Sequence, residues 1–144
     1  MMVQMACQTI MDARENIIAA VRIVLESDPR LVFAYLYGSF ARREDFRDID
    51  VGVFLRDPHQ NPFEVSSDLR ERISRNLRGA GVAADADFFD VTILNGAPFT
   101  FLKRIFVEGL LLVDRDPDLR TDLIEYVSRK YRECAGLMLE ASLI

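Results

Sequence analysis

The sequence is poor in the residues that metal-bound and disulfide-stapled frameworks require. It holds two cysteines, Cys7 and Cys134, and one histidine, His59, in 144 residues. No Cys-x-x-Cys pair or Cys/His cluster exists, which excludes the usual zinc ligand sets and a disulfide scaffold. Two reduced thiols in a cytoplasmic protein are expected. His59 falls in the turn-rich stretch RDPHQNP and reads as a solvated loop residue rather than a catalytic base. Long apolar runs are missing: none approaches the roughly 20 residues of a membrane helix. The opening MMVQMACQTI lacks the basic and apolar regions of a secretory signal. Positive charge is in deficit, with 18 Lys and Arg against 23 Asp and Glu and a formal net charge of -5. That balance argues against a general nucleic-acid binder, although Arg42, Arg43 and Arg47 supply a local basic patch. Repeats, low-complexity tracts and linkers are lacking too. What remains is an ordinary globular composition, read as one domain over residues 1–144 with its own core.

Apolar periodicity alternates between helix and strand along the chain. Ile10, Ile17, Val21, Val24 and Leu25 predict an amphipathic helix over residues 9–27, ended by Asp28-Pro29. Residues 31–37 read as a strand broken by Gly38-Ser39, residues 40–45 as a short helical turn, and residues 48–55 as a second strand. Asn61 caps a helix with Pro62 at its first position and Val65, Leu69, Ile73 and Leu77 inward, stopped by Gly79 and Gly81. Arg70, Arg72, Arg75 and Arg78 form its expected wet face. A third strand over 87–95, a helix over 98–107 with Leu102, Ile105 and Phe106 inward, and a fourth strand over 110–113 follow. Asp116-Pro117 opens the last helix, with Leu123, Val127, Tyr131, Ala135 and Met138 as its expected buried stripe. The fold class is therefore α/β (α+β), a small mixed sheet with helices packed on it.

The stretch YGSFARREDFRDIDVGVFL concentrates the chemistry. Side chains alternate along a strand, so Ile49, Val51 and Val53 share one face while Asp48, Asp50 and Gly52 share the other. Two carboxylates at i and i+2 stand roughly 7 Å apart along the backbone. Unless a cation lies between them they repel, and one pKa should rise. Oxygen ligands of this kind suit Mg²⁺ or Mn²⁺. In Phe88 to Leu94, Asp90 and Thr92 face away from Phe89, Val91 and Ile93. If this strand neighbours the second, Asp90 joins Asp48 and Asp50 in a two-metal site suited to phosphoryl-type displacement. Gly38 allows close backbone approach to a phosphate, and Ser39 adds a hydroxyl. The competing reading makes Asp48 and Asp50 plain charges on a solvent-facing strand; Gly38-Ser39 and Asp90 outweigh it. Asp85 and Asp87 lie nearby, and for Asp90 or Asp87 a solvated charge stays the alternative. For Arg42, Arg43 and Arg47 two readings compete: they steady a bound polyphosphate, or they pair with Glu44 and Asp45.

Gly38-Ser39, Asp48-Ile49-Asp50 and Asp90 together resemble the signature of a minimal nucleotidyltransferase of the DNA polymerase beta superfamily. The likeness runs from about Leu31 to about Lys130, and "EGLLLVDRDP" is similar to the closing strand of the MntA-like antitoxins, which pair with HEPN-domain toxins. The resemblance implies a polymerase-beta-like fold and a reaction using ATP and two Mg²⁺ ions, in which a hydroxyl attacks the α-phosphate and pyrophosphate leaves. It implies that Asp48, Asp50 and Asp90 hold metal, that Asp90 helps activate the nucleophile, and that Gly38, Ser39 and Arg42 bind nucleotide. It also implies that the acceptor is a tyrosine of a HEPN toxin, silenced by AMPylation. Two departures stand out. Ala41-Arg42-Arg43 replaces the usual Ala-Arg-Gly, and only 8 residues separate Ser39 from Asp48, where Arg47 stands in place of a serine. Two other functions compete. One is an antitoxin with a weakened site that neutralises its toxin by masking it. The other is an aminoglycoside-type small-molecule transferase, for which 144 residues leave little room for an acceptor pocket. Tyr126, Tyr131 and the apolar end GLMLEASLI offer a partner surface, and a homo-oligomer is compatible with it.

Overall fold

A computed structural model describes residues 2–43, 48–82 and 85–142, with side chains described over 14–43, 48–82 and 85–137. Arg47 and the proposed partners Glu44 and Asp45 lie outside the described residues, as do the side chains of Cys7, Ile10 and Met138. The chain runs α1 (Met2–Glu26), β1 (Leu31–Tyr37), α2 (Gly38–Ala41), β2 (Ile49–Leu55), α3 (Pro62–Gly79), a 3-10 turn (Ala86–Phe88), β3 (Phe89–Ile93), α4 (Phe99–Glu108), β4 (Leu110–Asp114) and α5 (Pro117–Ser142). This is the expected α+β arrangement, built on a mixed sheet in the order β3-β2-β1-β4. β1 pairs antiparallel with β2 and β4, while β2 and β3 run parallel. The parallel pair needs a crossover, which α3 supplies.

Strand alternation sends alternate residues to two cores. One core joins Leu36, Ile49, Val51, Val53, Phe89 and Val91 to α1 through Val21 and Leu25 and to α3 through Leu69, Ile73 and Leu77. The other joins Phe33, Tyr35 and Leu94 to Leu102 and Ile105 of α4 and Val127 of α5. A break in register between Leu31 and Phe33 lets Val32 and Phe33 both enter the second core. Asp50 lies on this second side, at the sheet end that α4 only partly covers.

Asn61 caps α3 as expected, its side-chain oxygen accepting from the Phe63 N–H at 2.9 Å. Three expectations need correction. The third strand is shorter: Asp87 belongs to the preceding 3-10 turn. Among the described side chains of α5 only Val127 is buried, with Leu123 partly so, while Tyr131 and Ala135 are exposed. There Lys103 of α4 lies over the Tyr131 ring at 3.4 Å, a contact that leaves the tyrosine 39% exposed, and periodicity alone does not reveal where a helix outruns its core. Arg72 is not on a wet face either. It donates to buried Asp28 at 3.0 Å and to Ser27 Oγ at 2.9 Å. No helix among the described residues is long and apolar enough to cross a membrane.

Candidate active site

β1 ends at Tyr37 and the chain turns at once into α2. Gly38 makes the turn with φ +79°, a conformation costly for any residue with a Cβ. A Cβ there would also overlap the Asp50 carboxylate, so glycine is required twice over. Phe40 plugs the loop into the first core. From α1, Arg14 donates to the Phe40 and Ala41 carbonyls, each at 3.3 Å, and lies over the Phe40 ring at 5.2 Å. These contacts hold the Gly38-Ser39 turn from behind.

Arg43 has φ 61°, the described non-glycine residue with a positive φ. The loop thus keeps the left-handed turn that the usual glycine would favour, and bears the strain of a Cβ in that region. Arg43→Gly is expected to raise stability by up to about 1 kcal/mol, less what glycine loses in backbone freedom. An increased urea midpoint for the variant would register this; a lower midpoint would mean that Arg43 makes compensating contacts.

The parallel register sets Asp50 directly opposite Asp90 and Gly52 opposite Thr92. Asp87, outside the strand, has no such pairing. Asp48 sits in a bend just before β2 rather than in it, and both Asp48 and Asp90 are exposed. Asp50 is half-buried, and its pKa is raised by burial first, then by the charges of Asp90 and Asp48, with Arg42 pulling the other way. Asp50 therefore feels the charge of both other carboxylates. Among the described residues, however, no three acidic, histidine or cysteine side chains stand close enough together to cage a metal ion. The register places Asp50 beside Asp90, with Asp48 two residues before Asp50 in the bend that leads into β2. The donor set still fits a hard divalent cation: all oxygens, one of them on a carboxylate whose ionisation a cation would favour.

Next to Asp50 is a pocket of about 300 Å³, lined by Tyr37, Gly38, Ser39, Arg42, Asp50, Phe101, Arg104 and Glu108. Tyr37 forms its floor. Its hydroxyl donates to Thr92 Oγ1 at 3.2 Å, across β2, and its ring meets Phe101 edge-on at 5.6 Å. Burial raises the Tyr37 pKa; the Thr92 bond works against this and the charges of Asp50 and Asp90 add to it. Arg42 Nη1 lies 3.4 Å from Glu108 Oε2 and spans the pocket mouth between α2 and α4. The α4 wall lies outside the Gly-Ser and Asp-x-Asp motifs. Phe101, Arg104 and Glu108 recur at i, i+3 and i+7, one stripe of a helix beside the buried Leu102 and Ile105. That spacing was the available signal.

The model of the polymerase beta nucleotidyltransferase family matches residues 19–118. Among solved structures, the chain is similar to a toxin–antitoxin crystal structure with AMP-PNP, at 18% identity over 90% of this chain and 98% of that one, with a TM-score of 0.56. It is similar to a structure of tri-AMPylated Shewanella oneidensis HEPN toxin in complex with the MNT antitoxin, at 16% identity over 93% and 98% of the chains, with a TM-score of 0.52. An MntA–HepT toxin–antitoxin structure shares 15% identity over 93% and 99%, with a TM-score of 0.53. At such identities the likeness is one of fold. No curated protein matches the chain.

Proposed function

The chain belongs to the polymerase beta nucleotidyltransferase family, and from that premise we propose that it is a cytoplasmic, Mg²⁺-dependent protein adenylyltransferase. It moves AMP from ATP onto a tyrosine hydroxyl of a HEPN-type toxin and so acts as an antitoxin, with residues 1–144 working as one domain. The observation that carries this reading is the pairing of Asp50 with Asp90 beside a pocket walled by Gly38 and Ser39. The AMP-PNP-bound and AMPylated toxin–antitoxin structures of the same fold support the choice of nucleotide and partner.

Asp48, Asp50 and Asp90 would hold the metal. Bound Mg²⁺ supplies charge neutralisation and Lewis-acid polarisation at the phosphates. The chain's own groups do the rest. The Gly38 turn brings backbone close to the terminal phosphates, and the Ser39 hydroxyl and Arg42 grip them. Asp90 draws the proton from the incoming tyrosine as its oxygen attacks the α-phosphate and pyrophosphate departs. Asp90 is exposed and lies one strand from Asp50, within reach of a hydroxyl arriving from a partner protein. The left-handed Arg43 preserves the loop shape, which favours catalysis over neutralisation by masking. Purified protein incubated with α-labelled ATP, Mg²⁺ and its HEPN partner should label the partner on tyrosine. Absence of label with every triphosphate tried would defeat the enzyme reading.

A further inference from the structure

Charge on the pocket wall is unevenly matched. Asp50 and Glu108 supply carboxylates, Arg42 and Arg104 guanidinium groups. Arg42 is engaged with Glu108 at 3.4 Å, and its charge also acts on Asp50. Arg104 makes no ion pair among the described residues, though it faces the same 300 Å³ space. An arginine aimed into a polar pocket without a carboxylate partner is a ready receptor for an anion, and its planar fork suits phosphate oxygens.

Its scaffold is rigid. Leu102 and Ile105 are buried beneath α4, at 6% and 0% exposure. At the helix end, a Cβ on Gly109 would stand 3.0 Å from Tyr35 Cδ1 and 3.2 Å from the Leu36 carbonyl oxygen, so α4 sits hard against β1. Phe101, one turn before Arg104, is held edge-on by Tyr37. A side chain so mounted reaches the pocket without a costly rearrangement of backbone.

Resting on the nucleotidyltransferase reading above, we propose that Arg104 binds the polyphosphate tail of the nucleoside triphosphate, from the α4 wall opposite Gly38-Ser39. The tail then lies between two walls, with Arg104 on one and the Gly38 turn and Arg42 on the other. Arg104 selects triphosphate over monophosphate.

Calorimetric titration of the full chain with ATP, ADP and AMP, with and without Mg²⁺, tests this on wild type, Arg104→Ala and Arg104→Lys. Arg104→Ala should weaken ATP binding about tenfold or more, as expected for a lost charge-assisted bond, and AMP binding much less. Arg104→Lys should recover part of the loss. Because Arg104 is exposed, melting temperatures should agree across the three proteins. Undiminished ATP affinity in Arg104→Ala overturns the proposal, as does an equal loss for AMP and ATP, which would put the residue on base or sugar. If the wild type itself binds no triphosphate, the nucleotidyltransferase reading falls and takes this one with it.

Discussion

Asp50→Asn should reduce nucleotidyl transfer at least about 10³-fold while the melting temperature holds or rises. The two halves of this result have one cause. In the free protein the Asp50 carboxylate is half-buried, faces Asp90 across the β2–β3 register and feels Asp48, all of which oppose its ionisation. That arrangement costs stability and suits a site meant to receive a cation. Asparagine keeps the shape, removes the repulsion and removes the charge that the proposed cation would meet. The pH dependence has a definite sign. A folded-state pKa above the ordinary 3.8 means that this group's contribution is fully present below the unfolded pKa and is lost as pH rises through the folded value. The advantage of Asp50→Asn over wild type should therefore grow with pH and be largest at neutrality. Label transfer and thermal melts on the same preparations provide the measurement. Transfer by the variant at the wild-type rate would remove Asp50 from the chemistry.

The second large effect lies far from the pocket. Asp28→Asn should cost about 3 kcal/mol of stability, roughly 10 °C in melting temperature. Asp28 is 1% exposed, just after α1. Arg30 Nη2 approaches its Oδ2 to 2.6 Å and also reaches Asp68 at 2.7 Å, while Arg72 of α3 donates to Asp28 at 3.0 Å. Arg115, after β4, donates to the Leu31 carbonyl at 2.8 Å and to the carbonyls of Asp28 and Glu26. One carboxylate thus ties the α1–β1 corner to α3, while Arg115 ties it to the segment after β4. Burial alone would raise the Asp28 pKa, but hydrogen bonds from Arg30 and the charges of Arg30 and Arg72 outweigh it and the net shift is downward. The stability it contributes is present above the unfolded pKa near 3.8 and is lost as pH falls through the lower folded value. Wild type should weaken with acid in that window and Asp28→Asn should not. Urea unfolding at pH 7 and pH 3 would measure both; a variant as stable as wild type at neutral pH would make the cluster ornamental.

The two aspartates show how unequal sequence legibility is. Asp50 announces itself by interrupting an apolar alternation, because a charge inside a strand pattern calls for an explanation. Asp28 reads only as the end of a helix before Pro29, and Arg72 only as one of a row of arginines on α3. Nothing local joins two residues separated by that much chain. The α5 stripe fails for a related reason: Tyr131 has the right spacing for burial, but the α4 side chain over its ring is the charged Lys103 and the tyrosine stays exposed.

From the sequence alone come the order of helices and strands, the sidedness of each strand, the Gly38 bend and its closeness to Asp48 and Asp50. All of these follow from short-range periodicity and backbone sterics, which neighbouring residues set among themselves. Only the tertiary structure decides that β3 lies parallel to β2 with Asp90 against Asp50, that α4 turns Arg104 toward the pocket, and that Asp28 meets Arg72. Sheet order and helix docking are chosen by burial of whole faces, and a face of apolar residues does not name its partner.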